Sequence, residues 1–173
     1  DSPEALATIP RLGVADLPAK NRSIPFEERQ ADGIPLFAHA LPCSGIVYTE
    51  AAFDMTPLIS GASRLVPLVP LFGRTLLEMG SKRRDFAELG MYIARKTGGM
   101  DTDIMFLTGR EKGHPALMVL SGKATMEKYE DFVQILGEVL LESKVMDKAR
   151  FRQMLLEEKA RKEQQLVPAG HSV

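Results

Sequence analysis

The 173 residues contain a single cysteine, Cys43, so no internal disulfide can form. The usual argument for an oxidising compartment falls away, without a reducing one being proved. Net charge is also nearly absent: 22 Lys and Arg stand against 23 Asp and Glu, a formal −1. That balance excludes a global basic field for nucleic acid or an anionic membrane surface. No apolar run approaches the roughly 18 residues that span a bilayer, and the acidic, proline-bearing start lacks the charge and apolar core of a signal peptide. Histidines are scarce, and His39, His114 and His171 are too far apart to have metal-ligand spacing. What remains, 45% hydrophobic and 26% charged residues, suits a globular chain long enough to bury a core, and excludes disordered and fibrous classes. The expectation is a soluble protein of the cytoplasm or an organelle matrix. The chain starts without Met and ends in VPAGHSV directly after a long helical pattern, which reads as an excised or processed piece whose localisation signal could have been cut away.

Residues 1–33 read as an extended linker, because Pro3, Pro10, Pro18 and Pro25 each bias the preceding residue away from helix. A short helix over Glu4 to Ala7 fits Ser2 as N-cap and Pro3 at the first helical position. Ile34 to Ala40 and Ile46 to Met55 then read as strand, turn, strand, with Val47, Thr49, Ala51, Phe53 and Met55 on the buried face. Leu65, Leu68, Val69, Phe72, Leu76 and Met79 recur at helical spacing, Pro67 and Pro70 fall in or near the first turn, and Gly80 ends the helix. Asp85 and Glu88 form a capping pair for a second helix, whose stripe of Phe86, Leu89 and Ile93 stops at Gly98-Gly99. Thr102 to Thr108 and Pro115 to Leu120 predict an antiparallel hairpin around a polar loop from Gly109 to His114. Thr125 caps a third helix with Tyr129, Phe132, Val133, Leu136 and Leu140 inward, and Asp147 caps a fourth with Phe151, Met154 and Leu155 inward. Glu157 to Arg161 and Glu158 to Lys162 are i,i+4 pairs on that last helix, whose charge run reads as a solvated face. The order ββααββαα predicts an α+β fold, a mainly antiparallel sheet with helices packed on one face.

The search for chemistry returns little. Cys43 beside Pro42 reads as a spectator thiol, and no GxSxG elbow occurs. Ser121-Gly122-Lys123 lacks the upstream glycine spacing of a phosphate loop, and Lys96-Thr97-Gly98-Gly99 follows a helix instead of preceding one. Asp101, Asp103, Arg110 and Glu111 could line a ligand site or simply decorate a hairpin, and the second reading is preferred because no partner base stands at defined spacing. No catalytic, metal-ligating or cofactor-binding constellation is found.

Four stretches together carry a resemblance: DSPEALATIPRL, GIVYTEAAFDM, LVPLVPLFGRTLLEMGSKRRDFAELGMYIARKTGG and LLEEKARKEQQLVPAGHS. In order and content they resemble the pitrilysin/insulinase-type inverzincin zinc peptidases, specifically the start of the second, non-catalytic half in the presequence protease branch. In that family's catalytic half an HxxEH sequence lies on the first helix before a glycine turn, with both His on one face for zinc and the Glu activating water. Counting back from Gly80 by the same interval places Leu71, Arg74 and Thr75 at those positions. Leucine has no ligand atom, arginine is a fixed cation, and threonine is a poor zinc ligand.

The resemblance implies a truncated metalloprotease-half fold over residues 34–173, inactive by itself, with zinc held in the catalytic half of the parent protein. Its implied partners are that catalytic half on the same polypeptide and unstructured peptides, with no nucleic acid and no membrane. Apolar surface left by truncation is expected to drive self-association. The implied function is a non-catalytic domain of a zinc metallo-oligopeptidase, forming part of the chamber that encloses peptides. The alternative is a catalytically silent scaffold or assembly subunit of the same fold. An independent small-molecule enzyme has no constellation to support it.

Overall fold

A computed structural model of the chain describes residues 2, 8–10, 12–20, 23–61, 63–108, 115–166, 168 and 170. They divide into two compact units, Asp1–Pro42 and Cys43–Val173. The expected helix over Glu4 to Ala7, the polar loop from Gly109 to His114, and His171 lie outside the described residues.

In the first unit an antiparallel hairpin pairs β1 (Glu27–Ala31) with β2 (Ile34–Ala38), in a register from Glu27 opposite Ala38 to Ala31 opposite Ile34. Asp32 and Gly33 join them at φ 53° and 80°. Two successive left-handed residues are what a tight two-residue hairpin requires, and Asp-Gly supplies them. This corrects the expected pairing of the Ile34 strand with the strand at Ile46. Ser44 and Gly45 also turn the chain, at φ 51° and 78°, and the Ile46 N–H donates to the Cys43 carbonyl at 3.0 Å. Pro42, however, has no N–H with which to continue a ladder from that turn. The pairing therefore runs back into the segment read as linker.

The second unit contains β3 (Ile46–Asp54), α1 (Thr56–Gly61), a 3-10 segment (Ser63–Leu68), α2 (Val69–Glu78), α3 (Phe86–Lys96), β4 (Met100–Phe106), β5 (Ala116–Thr125), a 3-10 turn (Met126–Lys128), α4 (Tyr129–Leu141) and α5 (Lys148–Gln165). Its sheet has the order β3-β5-β4, antiparallel throughout. The α+β class and the antiparallel sheet are as expected. The chain between β3 and the first expected helix carries the extra helix α1.

Leu120 of β5 packs with Leu89 of α3 and with Ile135 and Val139 of α4, while Met118 packs with Val69 and Leu76 of α2. Leu120 and Met118 share one face of β5, so three helices cover that face and build the core there. Each fully buried aliphatic side chain contributes about 1.5–3 kcal/mol.

Several inward stripes differ from expectation. The buried face of α4 is Phe132, Ile135 and Val139, whereas Val133 is 47% exposed. The expected Leu136 and Leu140 still pack against the core, but Ile135 and Val139 lie at its centre, which turns Val133 outward; Thr125 makes no side-chain cap, and the helix starts at Tyr129 after the 3-10 turn. On α5, Met154 is fully buried but Leu155 is 44% exposed, and Phe72 and Phe86 are also largely exposed. On β3 the alternation holds for Val47, Thr49 and Ala51, which are half-buried, while Phe53 is more open.

Both expected caps formed by aspartate are present. The Glu88 N–H donates to Asp85 Oδ1 at 2.8 Å and the Asp85 N–H to Glu88 Oε2 at 3.0 Å, while Asp147 Oδ1 accepts from the N–H groups of Ala149 and Arg150, both at 3.0 Å. Between α2 and α3, Gly80 sits at φ 80°, and a Cβ there would stand 2.8 Å from the Phe86 nitrogen and 2.9 Å from the Arg84 carbonyl oxygen. Backbone on that side cannot yield as a flexible side chain would. Gly80→Ala is therefore expected to destabilise the protein by about 2 kcal/mol or more, combining left-handed strain with the clash. Thermal unfolding followed by circular dichroism checks this.

Candidate functional site

The positions singled out by sequence lie on α2, which starts with Pro70 in its first turn and ends where the Met79 N–H donates to the Thr75 carbonyl at 3.2 Å. Leu71 is half-buried and Thr75 is buried in the unit. The Thr75 hydroxyl donates to the Phe72 carbonyl at 2.6 Å, and the Thr75 carbonyl accepts from Ser143 Oγ at 3.3 Å. Arg74 points elsewhere. Its Nε and one terminal nitrogen grip both oxygens of Glu78 at 2.7 and 2.5 Å, and its other terminal nitrogen donates to Glu158 Oε2 on α5 at 2.5 Å. Arg161 shares the same Glu158 oxygen at 2.5 Å. One turn of α2 thus points a hydroxyl into the core and a guanidinium at a neighbouring helix.

The turn after α2 is tied as firmly. Glu138 of α4, only 4% exposed, accepts hydrogen bonds from the Ser81 hydroxyl and from the Arg84 guanidinium. Ser81 Oγ in turn accepts the N–H groups of Arg83 and Arg84, both at 3.0 Å. Arg84 also lies over the Tyr92 ring, 3.9 Å from its centroid, a cation–π contact with α3. Next to it, Arg83 grips Glu142 through two hydrogen bonds of 2.8 and 2.5 Å. Arg150 at the start of α5 donates to the Glu78 carbonyl at 3.1 Å and stacks over Phe86 at 4.0 Å.

The family described as Peptidase M-16C associated matches residues 1–173. The chain belongs to that peptidase-associated family. It is 34% identical to presequence protease 1, chloroplastic/mitochondrial, of Arabidopsis thaliana over 174 residues, which cover all of this chain and 16% of that protein. It is 26% identical to Protein HypA of Clostridium perfringens over 175 residues, all of this chain and 18% of the relative. Against the mitochondrial presequence protease of Yarrowia lipolytica it is 22% identical, over 99% of this chain and 17% of that one. The chain thus spans about a sixth of the length of these curated relatives. The resemblance to the presequence protease branch, read from residues alone, holds.

Other residues of this peptidase-associated chain that the sequence marked are scattered. Asp101 and Asp103 share the face of β4 turned away from the core, whereas Arg110, Glu111, His114 and His171 lie outside the described residues. His39 Nδ1 sits 3.1 Å from the Pro25 carbonyl in the first unit, and Cys43 is half-buried. Ser121-Gly122-Lys123 is ordinary strand, paired with β3 throughout and with β4 at Ser121 and Gly122. Among the described residues no three His, Cys, Asp or Glu side chains gather closely enough to hold a metal, and no helix is long and apolar enough to cross a membrane. Neither expected i,i+4 pair forms on α5, because Arg74 and Arg161 take Glu158 while Gln153 and Arg150 take Glu157.

Sequence reasoning missed Ser81, Arg84 and Glu138. The available signal was a glutamate inside the apolar stripe of α4, three residues after Ile135 and next to Val139. Arg84→Ala would leave Glu138 buried without its cation, and a loss of about 3 kcal/mol is expected in urea unfolding. Acid acts through the neighbouring pairs. The hydrogen bonds from Arg83 hold the Glu142 carboxyl below its ordinary 4.5, and keep Arg83 protonated to higher pH than usual. For Glu158, desolvation is the largest influence and pushes its pKa up, but Arg161, Arg74 and Lys162 outweigh it and the net shift is downward. Both carboxyls bind fewer protons folded than unfolded, so their contribution is fully present above the unfolded value and is lost as pH falls through the depressed folded one. Urea midpoints measured below pH 4.5 are expected to fall, and to fall less steeply in a Glu142→Gln, Glu158→Gln variant.

Proposed function

We propose that this chain is a non-catalytic part of a zinc metallo-oligopeptidase that degrades unstructured peptides, and that it forms part of the wall enclosing them. The observation that carries this reading is Arg74. In the catalytic half of the resembling family that helical position holds the water-activating glutamate, and here it holds a cation committed to Glu78 and Glu158. Leu71 has no donor atom and the Thr75 hydroxyl is spent on the Phe72 carbonyl, so the three positions do not fit zinc. Family membership and the roughly sixfold greater length of the relatives support a parent polypeptide whose other half binds the metal. In this reading the second unit is the inactive peptidase-like domain. The first unit is the segment that leads in from the catalytic half. Relatives named for chloroplast and mitochondrion support an organelle matrix as the place of work.

The test is to measure metal content and peptide cleavage for residues 1–173 alone and for the full-length polypeptide. The isolated chain is expected to carry no stoichiometric zinc and to leave an unstructured peptide intact, whereas the full-length protein cleaves it in a manner abolished by EDTA. Zinc bound by the isolated chain, with EDTA-sensitive cleavage, would contradict the proposal. A natural polypeptide that has no HxxEH-bearing half would point instead to the scaffold alternative.

A further inference from the structure

The face of the sheet opposite the helices carries polar groups in register. Glu50, Ser121 and Asp101 form one row across all three strands, and Tyr48 and Lys123 form the next. Beside them the Gly98-Gly99 turn is fastened to β5, with the Gly98 N–H donating to the Lys123 carbonyl at 2.7 Å and the Lys123 N–H to the Gly99 carbonyl at 3.3 Å. Together these residues line a groove of about 440 Å³, within the size range of small-ligand sites.

Among the described residues neither Glu50, Asp101 nor Lys123 has an ion-pair partner. The Lys123 ammonium stands 6.0 Å from the Tyr48 ring centroid, and Tyr48 is 61% exposed. The lysine stem lies directly on Gly98, where a Cβ would come within 2.8 Å of Lys123 Cγ. A stem confined in this way loses less freedom when its ammonium is engaged.

Phosphate is a poor match, despite the two glycines and the lysine. The Gly98 and Gly99 N–H groups already donate to the Lys123 carbonyl and to Thr97 Oγ1, and two carboxylates would repel an anion. A peptide matches better. Alternate side chains of an extended chain project to one side about 6.6–6.8 Å apart, which is also the spacing of successive same-face rows in a sheet. A peptide lying along the strands can therefore set one side chain over the carboxylate row and the next but one over the lysine.

We propose that this groove binds an extended peptide segment bearing a basic side chain two residues from an acidic one. The basic group meets Glu50 and Asp101 with Ser121 between them, and the acidic group meets Lys123 beside the Tyr48 ring. The proposal rests on the peptide-enclosing function above and names a contact within it.

The test is a titration of the isotopically labelled 1–173 chain with end-capped peptides carrying Lys-x-Glu or Glu-x-Lys, followed by amide chemical shifts. Saturable shifts centred on Tyr48, Glu50, Asp101, Ser121 and Lys123 are expected for at least one order. Replacing either charged residue of the peptide by Gln, or moving the charges to Lys-x-x-Glu spacing, is expected to weaken binding about two- to fivefold, the scale of solvent-exposed ion pairs. Glu50→Gln with Asp101→Asn should remove the dependence on the peptide's lysine, and Lys123→Gln the dependence on its glutamate. These side chains lie on the open face of the sheet, so circular dichroism should stay unchanged and report a folded protein. Equal binding of the neutral or respaced peptides, shifts centred elsewhere, or no binding would overturn the groove. If the full-length protein still degrades peptides and the isolated chain does not, that failure leaves the proposed function standing.

Discussion

A buried carboxylate sets the arrangement of the helices. Glu138 projects from the apolar stripe of α4 and meets the Ser81 hydroxyl and the Arg84 guanidinium, both from the turn joining α2 to α3. A carboxylate taken out of water is costly unless paired and hydrogen-bonded, so the turn can adopt few conformations that leave Glu138 satisfied. The same junction is closed from the other side. Ser81 and Ser143 form a β-bridge, the Lys82 N–H donates to the Glu142 carbonyl at 2.9 Å, and the Lys144 N–H donates to the Gly80 carbonyl at 3.0 Å. Gly80 is required there because the chain turns through a left-handed conformation against backbone atoms.

Helix α2 is consequently held at two places for two reasons. The turn at its C-terminal end is fixed to α4 through Glu138, and its outer face is fixed to α5 through Arg74 and Glu158. Along α2, Leu71, Arg74 and Thr75 present an apolar side chain, an ion-paired cation and a buried hydroxyl. On the sheet face away from the helices, Glu50, Asp101 and Lys123 have no ion-pair partner among the described residues, and the proposed peptide contact is placed there and not on α2.

How much of this was legible depended on the range of the interactions. Asp85 with Glu88, Asp147 and Gly80 act within a few residues, and their spacing alone announced them. The β4–β5 hairpin was equally plain from two β-rich runs around a polar loop. The buried face of α4 was not, because spacing alone allowed either Val133 or Ile135 beside Phe132 and Leu136, and only packing against Leu89 and Leu120 selects Ile135. The apolar run from Ile34 to Ala40 predicts a strand pairing forward, and it masks the stronger hairpin signal of Asp32-Gly33 before it. The partners of Glu157 and Glu158 were misread for a third reason: i,i+4 spacing is visible in sequence, but Arg74 and Arg150 reach those carboxylates only through the fold.

The most direct measurement is of Arg74→Met in the full-length polypeptide, scoring thermal stability, zinc content and turnover of an unstructured peptide together. If α2 serves as a fastened frame, melting of this part of the protein shifts downward while zinc per molecule and kcat for the folded fraction stay unchanged. Unaltered melting accompanied by loss of zinc or of kcat would contradict the account.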